Sequence, residues 1–346
     1  MKFGIFDHID MAGDRPLATQ YDERLTFAQA ADEAGFYCLH IAEHHASPLN
    51  TVPVPGIWLG ALARVTKRMR LGPLVYLLPL YSPLRLAEEI CILDHLSKGR
   101  LDVGVGRGVS PFELAYHKIK HDDSRDIFAD AYKALNTALT SELFSYESER
   151  YNYKNVPMPL RPLQQPTPPM WYGSSNATGS AWAGDHGLHF ASNGPTERAK
   201  GNIQVFREHF AKHGKAAHPK PEFEGGVVVG VGRQIVVAET EAEALRIAKP
   251  AAEHHHANLT YLLRVHASDE AAKRFQVPTR AGLEEQMADG SMIVGTPATV
   301  AEKIAEQVET MGLNYMMAYL FFGTMQLSDA LRSLELFRSE VMPKFA

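Results

Sequence analysis

Three clusters in the chain combine residue types that do chemistry: Gly104-Val105-Gly106-Arg107-Gly108, the run Ser174 to Ser180, and Glu43-His44-His45. In the first, an arginine stands between glycines. Its guanidinium can approach an anion closely and donate two bonds. In the second, small and hydroxyl residues open a helix, where free backbone N–H groups suit a phosphate. Taken alone, that run reads more readily as an ordinary helix cap. Together the two segments would clamp one phosphate. The glycine spacing around Arg107 lacks the further gap of a dinucleotide fingerprint. Glu43-His44-His45 has metal-ligand residue types, but adjacent histidines on extended backbone point to opposite sides. His254-His255-His256 fall in a helical stretch, point three ways, and read as a solvated face. The expectation is therefore no metal, and metal-dependent hydrolysis is the weaker class.

These clusters follow strands. Short apolar runs at Lys2–Phe6, Phe36–Ile41, Met69–Leu78, Leu101–Val105, Met170–Tyr172, Leu188–Ala191, Gly226–Val237 and Tyr315–Phe322 alternate with amphipathic stretches. The latter predict helices at Asp22–Ala34, Pro55–Thr66, Pro83–Leu96, Ser124–Thr140 (with Ser124 as N-cap), from about Asn176, and at Thr196–His213, Glu239–Leu263, Pro297–Met311 and Ser328–Val341. A proline-rich connector spans Pro157–Pro169. Eight strand–helix units predict parallel β/α order. They favour a closed (β/α)8 TIM barrel over an open sheet, in one domain over residues 1–346. Barrel chemistry sits at the C-terminal ends of the strands, where all three clusters fall.

Charge and composition narrow the partners. The formal charge is −5, with no basic cluster, so no nucleic acid is expected. No segment reaches the roughly 18 apolar residues of a membrane span, and no signal peptide opens the chain. A cytoplasmic location is expected. Cys38 and Cys91 sit in apolar contexts and read as buried free thiols.

The chain resembles a known family on Ala42 to His45, Arg70-Leu71-Gly72, Leu78-Pro79-Leu80, Pro83 to Glu89, Leu93 to Arg100 and Gly104 to Gly108. Further matches are Ser124-Arg125, Trp182-Ala183, Val294 to Pro297 and Leu336 to Pro343. These stretches resemble the bacterial-luciferase-like flavin-dependent monooxygenases. The resemblance implies a (β/α)8 fold, a dimer (here a homodimer), reduced FMN as co-substrate, dioxygen, and a separate flavin reductase. It implies that His44 is essential for oxygenation by managing protons, that His45 is also important, and that Glu43 lies beside the flavin. Arg107, Arg125 and the helix opening at Ser175, Asn176 and Gly179 match phosphate binders. Leu74-Val75 matches a cis peptide under the flavin ring, with bulkier residues than the small pair usual there. Ser175 replaces an acidic residue and Asn176 a serine. Residues 264–294 occupy the place of a mobile lid, an insertion between the seventh and eighth units. A small apolar substrate is expected, with Phe6, His8, Tyr76, Tyr81, Phe321 and Phe322 as candidates to line its pocket. A deazaflavin hydride-transfer enzyme and a non-catalytic flavin-binding relative stay open as alternatives.

Overall fold

The computed structural model describes residues 1–266 and 282–346. The strands are β1 (Lys2–Asp7), β2 (Cys38–Ile41), β3 (Arg70–Pro73), β4 (Tyr76–Leu77), β5 (Val103–Gly106), β6 (Leu143–Glu147), β7 (Asn152–Pro157), β8 (Met170–Gly173), β9 (His189–Ser192), β10 (Val229–Val237), β11 (Met292–Gly295) and β12 (Tyr315–Tyr319). One parallel sheet runs in the order β3-β2-β1-β12-β10-β9-β8-β5-β4. A parallel bridge between Leu71 and Leu101 joins its two ends and closes the barrel. Every residue of β2, β5, β9 and β12 is buried, because helices cover the outside and side chains fill the inside.

All eight predicted strands are barrel strands. The third departs from expectation in one respect. Met69–Leu78 is not one strand: it breaks at a cis Leu74-Val75 peptide into β3 and β4. Two glycines of β5 accommodate the bend. A Cβ on Gly104 would collide with the Pro73 carbonyl, and one on Gly106 with the Val75 side chain. This close approach accounts for the glycine spacing around Arg107.

The helices that matter for the site are α1 (Leu17–Ala34), α2 (Pro55–Val65), α3 (Pro83–Leu96), α4 (Pro111–Tyr116), α5 (Ser124–Thr140), α6 (Ala177–Asp185), α7 (Thr196–His213) and α8 (Glu241–Leu259). Proline in the first turn starts α2, α3 and α4, where its missing N–H costs no hydrogen bond. Ser124 is not the N-cap of α5. That position is Asp123, and the Ser124 hydroxyl instead donates to the His121 carbonyl at 2.5 Å.

Among the elements that escaped the sequence reading are the antiparallel β6–β7 hairpin, the short helix α4, and β11, which pairs with the outer half of β10. Within the stretch expected to be a lid, residues 282–294 hold a helix at Leu283–Ala288 and most of β11. The remainder, residues 267–281, lies outside the described residues. Cys38 and Cys91 are buried free thiols.

Candidate active site

A cavity of about 430 Å³ opens at the C-terminal ends of the barrel strands. On one side stands Arg107, the residue after β5. Its Nη1 donates to Ser124 Oγ at 3.2 Å. Burial lowers its pKa, Tyr172 opposes that, and Arg125 adds to it. A guanidinium keeps its charge through such a shift, so Arg107 is a half-buried cation that an anion would stabilise.

Beside it, β8 ends at Gly173 and the chain turns into α6. Asn176 is the N-cap, and its side chain accepts from the Gly179 N–H at 3.0 Å. The Ser174 hydroxyl donates to the Asn176 carbonyl at 2.9 Å and accepts from its N–H at 3.2 Å. A helix starts with four N–H groups that its own turns cannot satisfy. Here Gly179 and Ser180 bond back to Asn176. Among the described residues, the Ala177 and Thr178 N–H groups meet no acceptor. Arg107, Ser174, Ser175 and Asn176 all line the cavity, so the arginine and the helix start face one space.

Opposite this clamp is a histidine row. His44 follows β2, and its Nδ1 bonds to Glu113 Oε1 of α4 at 3.1 Å. Burial alone would lower the His44 pKa. The charge and hydrogen bond of Glu113, helped by Glu43, outweigh it and raise the pKa above the ordinary imidazole value. His8, just beyond β1, stacks 5.6 Å from the His44 ring and lies 5.3 Å from the His255 ring. His255, on α8, bonds through Nδ1 to Asp10 at 3.2 Å. Burial pushes the Asp10 pKa up, but His255 and Arg24 overcome this and hold it at about 2. Among the described residues His8 hydrogen-bonds to no carboxylate, and burial with two histidine neighbours drives its pKa well down against the weaker pull of Asp10. The row is thus a neutral imidazole between two carboxylate-backed ones.

Of the residues expected at the site, Glu43, His44, Leu74, Val75, Arg107, Ser175 and Asn176 line the cavity. Glu43 does so as a brace. Its carboxylate accepts from His45 Nε2 at 2.8 Å and from the Leu77 N–H at 2.9 Å, which fixes β4 after the cis peptide. His45, Arg125 and Gly179 are absent from the lining: His45 turns to Glu43, Arg125 is exposed on α5, and the Gly179 N–H is taken by Asn176. Of the aromatic candidates, Phe6 and His8 line the cavity, whereas Tyr76, Tyr81, Phe321 and Phe322 do not. The expectation of a solvated His254–His256 face is overturned. His255 is buried on Asp10, and His254 Nε2 meets the Met11 carbonyl at 2.7 Å. Among the described residues, no cluster of three or more His, Cys, Asp or Glu is arranged to hold a metal ion.

Glu113, Asp10, Tyr319, Asn193 and Gln234 were not expected here. A local signal existed for Glu113. Ser110 stands three residues before it, and its Oγ accepts the Glu113 N–H at 3.3 Å, the spacing of a capping box. Nothing local ties Glu113 to His44.

Known proteins share sequence or fold with this chain. The family profile described as luciferase-like monooxygenase matches residues 1–315. The chain is 36% identical over 344 residues to the uncharacterized protein y4wF of Sinorhizobium fredii, covering 99% of this chain and 97% of that one. It is 29% identical over 192 residues to the oxygenase component of the flavin-dependent trigonelline monooxygenase of Acinetobacter baylyi, covering 55% and 53%. The monooxygenase RslO1 of Streptomyces bottropensis superposes over 100% of both chains with a TM-score of 0.86 at 25% identity.

Proposed function

The chain belongs to the luciferase-like monooxygenase family, and on that premise we propose that it uses reduced FMN and dioxygen to oxygenate a small organic molecule. The observation that carries this reading is the single cavity lined by both a phosphate clamp and the His44–Glu113 pair. The residues fit the cofactor. Arg107 and the open N–H groups of α6 would hold the phosphate. Leu74, Val75 and Tyr172 give an apolar wall for the ring system. Bound reduced FMN supplies the electrons that activate dioxygen.

The chain's own residues supply placement and protons. One oxygen atom enters the substrate and the other leaves as water, which needs proton delivery in the cavity. His44 suits that task, because Glu113 fixes its Nδ1 and raises its pKa above the ordinary imidazole value. His45 acts through Glu43, which positions β4. Arg125 adds positive charge near Arg107. At its mouth the cavity lies against α8 and against Gln286 and Ser291, which limit water entry.

Reduced flavin arrives from a separate reductase, a reading supported by the oxygenase-component relative. The apolar face of α2 and α3 supports a homodimer: Val54, Ile92 and Leu96 are exposed and line a groove between these helices, and Ile57 of α2 is 76% exposed. A cytoplasmic enzyme fits two buried free thiols and the absence, among the described residues, of a helix long and apolar enough to cross a membrane.

The test is anaerobic titration with reduced FMN and with a reduced deazaflavin, followed by air and a substrate panel. FMN uptake that requires Arg107, and oxygenated product only with air and a partner reductase, are the expected results. Uptake of the deazaflavin alone, or of neither, would overturn the proposal.

A further inference from the structure

His255 lines the cavity from α8. The loop after β1 pins that stretch of helix on both sides of it. His254 Nε2 meets the Met11 carbonyl at 2.7 Å, and the Asn258 amide donates to the same oxygen at 3.0 Å. Between them, His255 Nδ1 lies 3.2 Å from Asp10 Oδ2. Asp10 is 1% exposed and is itself fixed. The Gly323 N–H donates to its two carboxylate oxygens at 3.1 and 3.0 Å, and Arg24 Nη2 stands 3.6 Å from Oδ1.

Asp10 is held ionised, its pKa at about 2, and a carboxylate only accepts. The His255 nitrogen that faces it therefore carries a proton in either charge state. In the neutral ring the lone pair is then on Nε2. Among the described residues no hydrogen bond involves that atom, and it is not one of the buried partnerless atoms, so it opens on the cavity. A fixed anion behind an imidazole orients the ring and stabilises the imidazolium formed when the outer nitrogen takes a proton. His44 and Glu113 already provide one such device for the protons of oxygen. A second on the same wall has work only if a second molecule brings a proton to remove.

We propose that His255 is the base that takes the hydroxyl proton of a phenolic substrate. The proposal rests on the reading that oxygenation occurs in this cavity. A hydrocarbon brings no proton to remove. A carboxylic acid arrives ionised and would carry its charge toward the Asp10 anion. A phenol, with an acidity like that of tyrosine, about 10, arrives neutral and gains reactivity by ionising. Phe6 and Tyr319, stacked at 4.5 Å, line the same cavity and flank His8, whose ring lies 5.3 Å from that of His255. They offer an aromatic wall to a substrate ring. The O–H bond breaks, its proton moves to Nε2, and the ring carbons ortho and para to the oxygen become electron-rich. One of them bonds to an atom of dioxygen as the O–O bond breaks. Its C–H proton ends on the new hydroxyl, and His255 returns the first proton to the phenolate. Reduced FMN gives two electrons and its two hydrogens, which leave with the other oxygen atom as water. The ring gives the remaining two electrons that dioxygen takes.

Anaerobic titration of protein loaded with reduced FMN, at neutral pH, tests this with two shape-matched pairs: β-naphthol against β-methylnaphthalene, and p-cresol against p-xylene. In each pair a methyl group replaces the hydroxyl. Tighter binding of the phenol by about tenfold is expected in at least one pair. The bound phenol should show the ultraviolet band of its anion. His255→Phe should lose both the preference and the band while FMN affinity stays. His255→Gln, which keeps a hydrogen-bonding group without a basic nitrogen, should also lose the band and controls for misfolding. No preference in either pair, a preference without ionisation, or a band that survives both substitutions overturns the assignment. If FMN fails to bind but FMN-free protein still ionises the phenol, the flavin reading falls and the base stands. If FMN binds and no phenol is ionised, only the base falls.

Discussion

Asp102 at one end of this barrel and Arg107 at the other hold their charges in opposite ways. At the N-terminal end, Asp102 is buried and fully matched. Its carboxylate accepts from Arg70 Nε at 2.7 Å, Trp171 Nε1 at 2.9 Å and Lys220 Nζ at 3.2 Å. Burial alone would raise the Asp102 pKa, but Lys220 and Arg70 hold it far below the carboxylate range. Lys220 also donates to the Tyr37 hydroxyl at 2.7 Å, and that end is knitted shut. At the C-terminal end, among the described residues, the Arg107 guanidinium donates to one hydroxyl, two N–H groups of the α6 start meet no acceptor, and His8 keeps a bare nitrogen. Matched charge holds a fold together, whereas charge with open valences awaits a ligand.

The contrast makes predictions that differ by end. Asp102→Ala should be the most damaging change. It strands Lys220 and Arg70, and about 3–5 kcal/mol of unfolding free energy should be lost in urea titrations. Flavin affinity of the protein that remains folded should not change; if it does, the two ends are coupled and the contrast breaks. Next is His44→Ala, at the open end. Product formation should fall by about 10²–10⁴-fold, with FMN uptake retained. Full turnover in that variant would end the role given to His44.

Arg107→Ala should weaken FMN binding by about 10–100-fold through loss of a charged hydrogen-bond donor. Its melting temperature should stay close to the parent's. A large drop in stability with unchanged affinity would place Arg107 with the matched charges instead.

Glu113→Gln should have the subtlest effect, a shift in pH dependence. In the folded protein the His44 pKa is raised, so the pair contributes stability that is full below the ordinary imidazole pKa of 6.5 and is lost as pH rises through the folded value. Removing the carboxylate should lower the His44 pKa, followed by imidazole NMR titration. It should also move the descending limb of the pH–activity profile to lower pH. An unmoved limb would show that another group controls the proton.

The eight barrel strands were legible because parallel strands buried on both faces read as short continuous apolar runs between amphipathic helices. The break in the third was not legible in the apolar pattern, where Leu74-Val75 looks like any apolar dipeptide; only the family resemblance placed a cis peptide there, as the structure has it. The β6–β7 hairpin alternates exposed and buried positions over only a few residues, too short to stand out after α5. In the site, Arg107 and Asn176 were legible from backbone chemistry: an arginine among glycines and a side chain that caps a helix. His255 was misread because three consecutive histidines on a helix must point three ways, and periodicity alone does not say which way is inward.

By itself the sequence determined what depends on near neighbours: the strand–helix alternation, the helix starts and stops, and the residue types gathered after each strand. Tertiary structure decided which of those residues meet. Glu113 reaches His44 across 69 residues and Asp10 reaches His255 across 245, contacts that exist only once the barrel closes. The physical reason is range. Caps and periods act over a few residues of backbone geometry, while a carboxylate tunes an imidazole only through a distance of a few ångströms, which the chain sets by folding.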